Sequence, residues 1–320
     1  MTAQNVDHQT ACSTTYDAVV IGSGVSGAIL AHELGRQGLR VLILEAGPGH
    51  DLSIEGHHTY LDRFYTAISK DNNAAFAANP FAPMARSGEA RRLQPGQPNS
   101  NGYLVQNGPF VTDTSYSRVV GGTTNHFESK TPRMMPEDFE LKQRFGVGLD
   151  WPISYKELMP YYNRAEFELG VSGDVESQKS LGIEFDPGYV FPMKEMPPTY
   201  LDKLVARGIE GTVVELEGEK YPLHVTTFPQ GRNGIPNEKY KPFNGGQDYV
   251  PVGAVSGHQA DLGGRCQGNT NCTPICPVQA KYDATSHVAQ AERAGAQLVA
   301  DAVVSRVEVG ADGQIAGLVV

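Results

Sequence analysis

The 320-residue sequence is poor in cysteine and tryptophan, and it has no long apolar run and no block of like charge. Four cysteines are too few for the disulfide framework of a small secreted protein. No segment approaches the roughly 18 apolar residues of a membrane span, and the first fifteen residues lack an export signal's apolar stretch. The net charge of −10, without a basic cluster, argues against a nucleic-acid surface. We therefore expect neither a membrane span nor a nucleic-acid partner.

What the sequence does contain is a strand–turn–helix–strand pattern near its start. An apolar run over 17–21 breaks at a glycine-rich loop, Gly22-Ser23-Gly24-Val25-Ser26-Gly27. Apolar residues then recur at helical spacing up to Gly38, and a second apolar run over 40–45 ends at Glu45. This pattern predicts a βαβ-type unit and an α/β fold.

The glycine spacing and Glu45 together predict a dinucleotide-binding loop. Gly22 permits the tight turn, Gly24 lets the backbone approach a pyrophosphate, and Gly27 lets helix and strand pack closely. Glu45 would accept hydrogen bonds from a ribose diol, with Ser23 and Ala46 beside the cofactor. The alternative is an ordinary glycine-rich turn, and the spacing does not separate NAD from FAD.

The remaining periodicity is weaker. Residues 50 to 118 are rich in proline, glycine, asparagine and alanine and show no sustained period. We predict helices over 138–145, 154–168 with a capping box from Ser154 to Glu157, and 283–294. Strands are predicted over 212–216 and 224–228, within an otherwise irregular region from 171 to 262, and over 297–299 and 302–309 after the last predicted helix.

Three of the four cysteines, Cys266, Cys272 and Cys276, fall within eleven residues in a glycine- and asparagine-rich segment. Closely spaced cysteines followed by proline are typical of iron–sulfur ligands, and three ligands suit a cluster with one corner unfilled. Two alternatives stay open: a structural zinc with His258 or His287 as fourth ligand, or buried thiols without a metal.

A second motif, Arg118-Val119-Val120-Gly121-Gly122-Thr123-Thr124-Asn125-His126, decides between the dinucleotides. Together with the glycine loop and Leu44-Glu45-Ala46-Gly47, it resembles the glucose-methanol-choline family of FAD-dependent oxidoreductases. The resemblance implies a Rossmann-like FAD-binding domain with an interleaved substrate domain, α+β overall. It places these residues beside FAD: Gly121, Gly122, Thr123, Asn125, His126, Val303 and Val304. His126 falls where some branches tether the flavin covalently and others hold it without a bond.

The cysteine segment, Cys-x-Gly-Asn-x-Asn-Cys-x-Pro-Ile-Cys-Pro, is similar to the branch of that family with a [3Fe-4S] cluster, which comprises catalytic subunits of bacterial glucose and sugar-acid dehydrogenases. The resemblance implies oxidation of a sugar or polyol CH–OH group by hydride transfer to flavin, with electrons leaving through the cluster. Implied partners are the substrate, a small chaperone-like subunit and a multihaem cytochrome subunit. The alternatives are an oxygen-using oxidase of the same family, or a non-catalytic flavin- or metal-binding fragment.

The resemblance also divides the chain. It implies a first part of the FAD-binding domain over 14–150, a substrate or cap region over 151–262, a cysteine-rich loop over 263–282, and a return to the FAD-binding domain over 283–320. The family's catalytic histidine would lie beyond Val320, so we expect an incomplete chain. With no signal in this chain, the expected location is cytoplasmic by default, or periplasmic if a partner subunit carries it out.

Overall fold

The computed structural model describes residues 6–47, 49, 119–125, 127–251, 265–266, 276 and 280–320. The chain begins with helix α1 (His8–Ser13), strand β1 (Ala18–Ile21), helix α2 (Val25–Arg36) and strand β2 (Val41–Leu44). The two strands pair in parallel, from Ala18 with Val41 to Ile21 with Leu44. Parallel strands need a crossover, and α2 supplies it, which confirms the predicted βαβ-type unit.

The next described helices pass through the region between 136 and 169. A 3-10 helix (Pro136–Phe139) leads into α3 (Leu141–Phe145), and α4 spans Tyr155–Leu169. The predicted single helix over 138–145 is wrong, because the Asp138 carboxylate accepts from the Met135 amide and so caps the earlier 3-10 turn. The capping box at Ser154 is confirmed, since Ser154 and Glu157 bond each other's backbone amides.

Residues 171 to 251 contain more regular structure than their sequence indicates. In chain order the elements are β3 (Val171–Ser172), α5 (Val175–Lys179), α6 (Tyr200–Ile209), β4 (Val213–Leu216), β5 (Glu219–Pro222), β6 (Gln230–Gly231) and a 3-10 helix (Glu238–Asn244). Strand β4 agrees with the predicted strand over 212–216. The predicted strand over 224–228 is wrong, and the strand that pairs with β4, in a tight hairpin, is β5. Helix α6 was missed.

An aromatic cluster around one buried ion pair forms the core of this middle region. Arg133 binds Glu166 through two hydrogen bonds of 2.7 Å, and their side chains are only 2% and 5% exposed. Tyr189 donates a short hydrogen bond to the same carboxylate, and the guanidinium carbon lies 4.3 Å from the centroid of the Phe185 ring. Burial opposes the charge on Arg133, yet Glu166 outweighs that cost and raises the pKa of Arg133.

The last part of the chain returns to the first sheet. Helix α7 (Thr285–Arg293) packs along α2, and strand β7 (Gln297–Val299) pairs in parallel with β2, giving the order β1-β2-β7. The core between sheet and helices is formed by small and β-branched residues: Val20, Ala28, Ala31, Val41, Ile43, Val120, Ala284, Val288, Ala291, Ala296 and Leu298. Alanine on both helices permits their close approach.

A hairpin of β8 (Arg306–Val309) and β9 (Ile315–Val319) follows. Strand β8 thus begins four residues later than the predicted strand over 302–309 and ends where predicted. Within the described parts of the chain, no helix is both long and apolar enough to cross a membrane.

Candidate functional site

The glycine loop joins β1 to α2 in the geometry that its spacing predicts. Gly22 has a φ of +90°, which is the left-handed region that favours glycine. A Cβ on Gly27 would lie 2.1 Å from the Gly22 carbonyl oxygen, so only glycine fits where α2 crosses the loop. Gly24 caps α2 with no side-chain hydrogen bond, and none of the described residues lies within 4 Å of the position that a Cβ on Gly24 would take. A helix start without a side-chain cap is suited to an anion.

Ser23 links this loop to the end of β2 and to the Gly121 turn. Its amide and hydroxyl both donate to Glu45 Oε2, at 3.0 and 2.6 Å, and the Gly121 amide donates to the same hydroxyl at 3.0 Å. The Gly47 amide bonds Glu45 Oε1 at 2.8 Å. Ser23 and Glu45 are 0% and 6% exposed. The carboxylate thus already holds the loop in shape, and its bond to a ribose stays a prediction.

The Gly121–Asn125 segment forms a tight turn against the glycine loop. Gly121 and Gly122 have φ values of +88° and +59°, and a Cβ on Gly122 would stand 3.5 Å from the Gly24 Cα. The Asn125 amide donates to the Val120 and Gly122 carbonyl oxygens at 3.0 and 2.9 Å. The two motifs that the sequence separates by about a hundred residues therefore meet, with Thr123 and Asn125 half-buried at their contact.

Lys281 is a residue of this site that sequence reasoning missed. Its ammonium donates to the carbonyl oxygens of Asn125 and Phe127, at 2.8 and 3.0 Å, and the residue is only 2% exposed. It thus fixes the backbone on both sides of His126. His126 itself lies outside the described residues, and its tether to flavin stays a prediction. Nothing in the sequence near Lys281 signals this role.

The segment after β7 runs beside the end of β2. The Ala302 amide bonds the Glu45 carbonyl at 2.8 Å, and the Asp301 amide bonds the Gly47 carbonyl at 2.8 Å. Val303 follows and is 46% exposed, while Val304 packs against the buried cluster that contains Leu42 and Leu44 of β2. Ala46 and these two valines therefore lie at one edge of the site, and their contact with an adenine stays a prediction.

Two of the three clustered cysteines are buried in one place. Cys266 and Cys276 are each 7% exposed and pack with Met196 and Ala280. Cys272 lies outside the described residues. His287, one of the two candidate fourth ligands of the zinc alternative, contacts Tyr282 and Glu168: its Nδ1 is 2.8 Å from Tyr282 Oη and its Nε2 is 3.1 Å from Glu168 Oε2. His258 lies outside the described residues.

A cavity of about 560 Å³ adjoins the segment that follows His126. Glu128 and Lys130 line one side, and Met196 of the cysteine cluster lines another. Gln230 Oε1 and Arg232 Nε are buried in its lining and have no hydrogen-bond partner among the described residues. Neither atom has more than a trace of accessible surface, so a ligand in the cavity would meet other polar groups of the lining, such as the side chains of Glu128, Lys130 and Glu195.

Comparisons with known proteins agree with this geometry. Residues 20–53 match the family model described as NAD(P)-binding Rossmann-like domain. The chain is 32% identical over 309 residues to the fructose dehydrogenase large subunit of Gluconobacter japonicus, a match that spans 94% of this chain and 48% of that protein. It is 29% identical over 289 residues to the gluconate 2-dehydrogenase flavoprotein of Pantoea cypripedii, spanning 83% and 43% of the two chains.

A third relative is the 2-methyl-1,2-propanediol dehydrogenase of Mycolicibacterium austroafricanum, 31% identical over 53% of this chain and 28% of that protein. The chain thus contains a Rossmann-like FAD-binding domain, as its first sheet and glycine loop indicate. It belongs to the glucose-methanol-choline family of FAD-dependent oxidoreductases. It spans about half the length of the curated relatives that it matches.

Proposed function

We propose that this chain forms the FAD-binding part of a dehydrogenase that oxidises a CH–OH group of a sugar or other polyol. The observation that carries the proposal is the contact between the glycine loop and the Gly121 turn, joined through the Ser23 hydroxyl. A lone glycine loop serves many dinucleotides, whereas the Gly121 motif together with that loop resembles the FAD-dependent family to which the chain belongs. The names of the relatives supply the substrate class.

The residues present suit an extended dinucleotide. The uncapped amides of α2 would hold the pyrophosphate, and Gly24 leaves room for it because no Cβ occupies that space. Glu45 would accept from the adenosine ribose through the lone pairs that Ser23 and Gly47 leave unused. Lys281 keeps the backbone around His126 in place. When bound, FAD supplies the acceptor for a hydride from the substrate carbon.

The finer proposal is that Cys266, Cys272 and Cys276 hold a [3Fe-4S] cluster that passes electrons singly to a cytochrome-type acceptor. The burial of Cys266 and Cys276 in one apolar cluster supports it, because a shielded thiolate set suits an inorganic core. An electron exit of this kind favours a dehydrogenase over an oxidase. A cytochrome subunit and a small chaperone-like subunit are the partners that such a relay implies, and the four-part domain division belongs to the same proposal.

The cavity beside Glu128 supports a polyhydroxylated substrate. Its lining includes the carboxylates of Glu128 and Glu195, which can accept from hydroxyl groups, and the ammonium of Lys130, which can donate to them. A sugar offers hydroxyl groups on adjacent carbons, whereas an apolar alcohol would displace water from these polar groups without replacing its hydrogen bonds, at a cost in binding free energy. The lining therefore favours a sugar over an apolar alcohol.

Absorption and electron paramagnetic resonance spectra of the full-length protein, purified without oxygen, test the proposal directly. We expect bound flavin and a [3Fe-4S] signal. Replacing Cys266, Cys272 or Cys276 by serine should remove iron and labile sulfide and stop electron transfer to a cytochrome, while reduction of flavin by sugar persists. Cys12→Ser is the matched control, because Cys12 is exposed in α1 and distant in sequence. Zinc instead of iron, or undiminished cytochrome reduction in the three variants, would remove the relay from the proposal.

The tether at His126 is tested separately. Acid precipitation of the full-length holoprotein followed by peptide mapping should find flavin on the peptide that contains His126. Flavin recovered wholly in the supernatant would rule out the tether and leave non-covalent FAD in place.

A further inference from the structure

A second group of metal-ligating side chains lies outside the dinucleotide site. His32 on α2, Glu168 in the last turn of α4 and His287 on α7 each contribute one nitrogen or oxygen atom to a group in which all three atoms lie within 4.8 Å of one another. The proposed FAD chemistry uses none of them. The three residues come from three helices, so the chain assembles this group only when those helices pack.

His287 is held by a neighbour in the manner of a metal ligand. Its Nδ1 lies 2.8 Å from Tyr282 Oη, and its Nε2 lies 3.1 Å from Glu168 Oε2. When Nδ1 donates its proton to Tyr282, the Nε2 lone pair points at the carboxylate, and a cation between the two relieves the repulsion. Histidine ligands of metals are oriented in this way by an acceptor on the other ring nitrogen.

His32 adds an atom whose bonding is unexplained. Its Nδ1 is buried, and no hydrogen-bond partner for it occurs in the described part of the chain. No lysine or arginine among the described residues forms an ion pair with Glu168: Arg36 and Arg164 both pair with Glu33, at 3.3 and 3.1 Å, although the charge of Arg164 still favours the ionised Glu168 carboxylate. Two imidazoles and one carboxylate therefore lie together, and the one ion pair of Glu168 in the described part of the chain is with His287.

We propose that His32, Glu168 and His287 bind one Zn²⁺ ion. Two imidazoles and one carboxylate form a known zinc donor set, in which a water completes the tetrahedron. Bonds of about 2.0–2.2 Å place tetrahedral ligand atoms about 3.3 Å apart, and the Nε2–Oε2 pair at 3.1 Å already matches. The longer separations close by a small movement of His32, which is half-buried and faces solvent on one side. The ion would join α4 to α2 and α7.

The full-length protein is first freed of bound metal by a chelator and gel filtration. It is then titrated with ZnCl₂, and the zinc that stays bound to the protein is measured. The variants are Glu168→Gln and His32→Gln, both at half-buried positions, so that the buried His287 is left intact. His224→Gln is the matched control, because His224 is exposed. Cys266→Ser reports zinc on the cysteines. Co²⁺ in place of zinc separates the two sites further, since thiolate ligands add charge-transfer absorption and imidazole ligands do not.

We expect the wild type, His224→Gln and Cys266→Ser to retain one more zinc than Glu168→Gln or His32→Gln, whose affinity should fall by about 100-fold or more. Zinc should also raise the thermal midpoint of the first three proteins and leave that of the two variants unchanged. Equal zinc in all five proteins, zinc lost only with Cys266→Ser, or no zinc retained by the wild type would overturn the proposal. A colourless protein without flavin would contradict the proposed function and leave this measurement intact.

Discussion

Gly27 and Gly35 lie where α2 approaches its neighbours closely, and alanine at either position adds one carbon atom to that contact. Gly208 in α6 serves as the comparison. A Cβ on Gly208 in α6 would meet none of the described residues within 4 Å, one on Gly35 lies 3.0 Å from Ala294 Cβ, and one on Gly27 lies 2.1 Å from a backbone oxygen. An ordinary contact begins at 3.4 Å, so the neighbour must retreat by 0.4 Å at Gly35 and by 1.3 Å at Gly27.

The effect of a glycine-to-alanine substitution on the free energy of unfolding should therefore change sign along this series. Alanine is favoured over glycine in a helix by up to about 1 kcal/mol, and Gly208→Ala should gain about 0.4–1 kcal/mol. At Gly35 overpacking should cancel that gain or exceed it by about 1 kcal/mol. At Gly27 no side chain can rotate away, so the net loss should be about 2 kcal/mol or more, and FAD should bind more weakly because the start of α2 is displaced.

Thermal unfolding of the full-length holoprotein, followed by circular dichroism, measures the order of the three variants. Flavin absorbance per chain after gel filtration measures the loss of FAD. We expect Gly208→Ala above the wild type, Gly35→Ala at or slightly below it, and Gly27→Ala lowest by several degrees. A Gly27→Ala protein as stable as Gly208→Ala, with its full flavin content, would refute the contact between α2 and the glycine loop.

Three further predictions follow from buried polar groups. Ser23→Ala should lower the free energy of unfolding by about 3–5 kcal/mol, because it removes a hydrogen bond to a carboxylate and leaves the Gly121 amide unsatisfied. Ser180 is exposed, and Ser180→Ala should change the free energy of unfolding by less than about 0.5 kcal/mol. Equal effects of the two substitutions would contradict the prediction. Arg133→Met should cost about 3–5 kcal/mol, since it strands the Glu166 carboxylate, and an unchanged urea midpoint would argue against the buried pair. Gln230→Leu should raise the KM for sugar roughly 2- to 10-fold at constant flavin content, and an unchanged KM would exclude the cavity as the substrate site.

Local patterns in the sequence predicted the first sheet well. Strands β1 and β2, the glycine loop and α2 all follow from patterns over fewer than thirty residues. Burial follows less well, because β2 is buried throughout whereas Val19 and Ile21 of β1 are exposed. Helix α6 could have been found too, because Thr199 and Asp202 form a capping box after two prolines. The sequence gives no comparable signal for contacts between distant segments. The Ser23 hydroxyl meets an amide 98 residues away, and Lys281 meets a carbonyl 156 residues away.

The parallel pairing of β7 with β2 has a consequence for synthesis on the ribosome. The edge of β2 meets its partner only after the 253 residues from Leu44 to Gln297 have been added. At about 5–20 residues per second, that edge stays open for roughly 13–50 s. Unpaired apolar strand edges promote aggregation, and β2 is buried along its whole length in the finished sheet. The nascent chain therefore needs protection during this interval, and slower translation between the two strands would reduce the yield of folded protein.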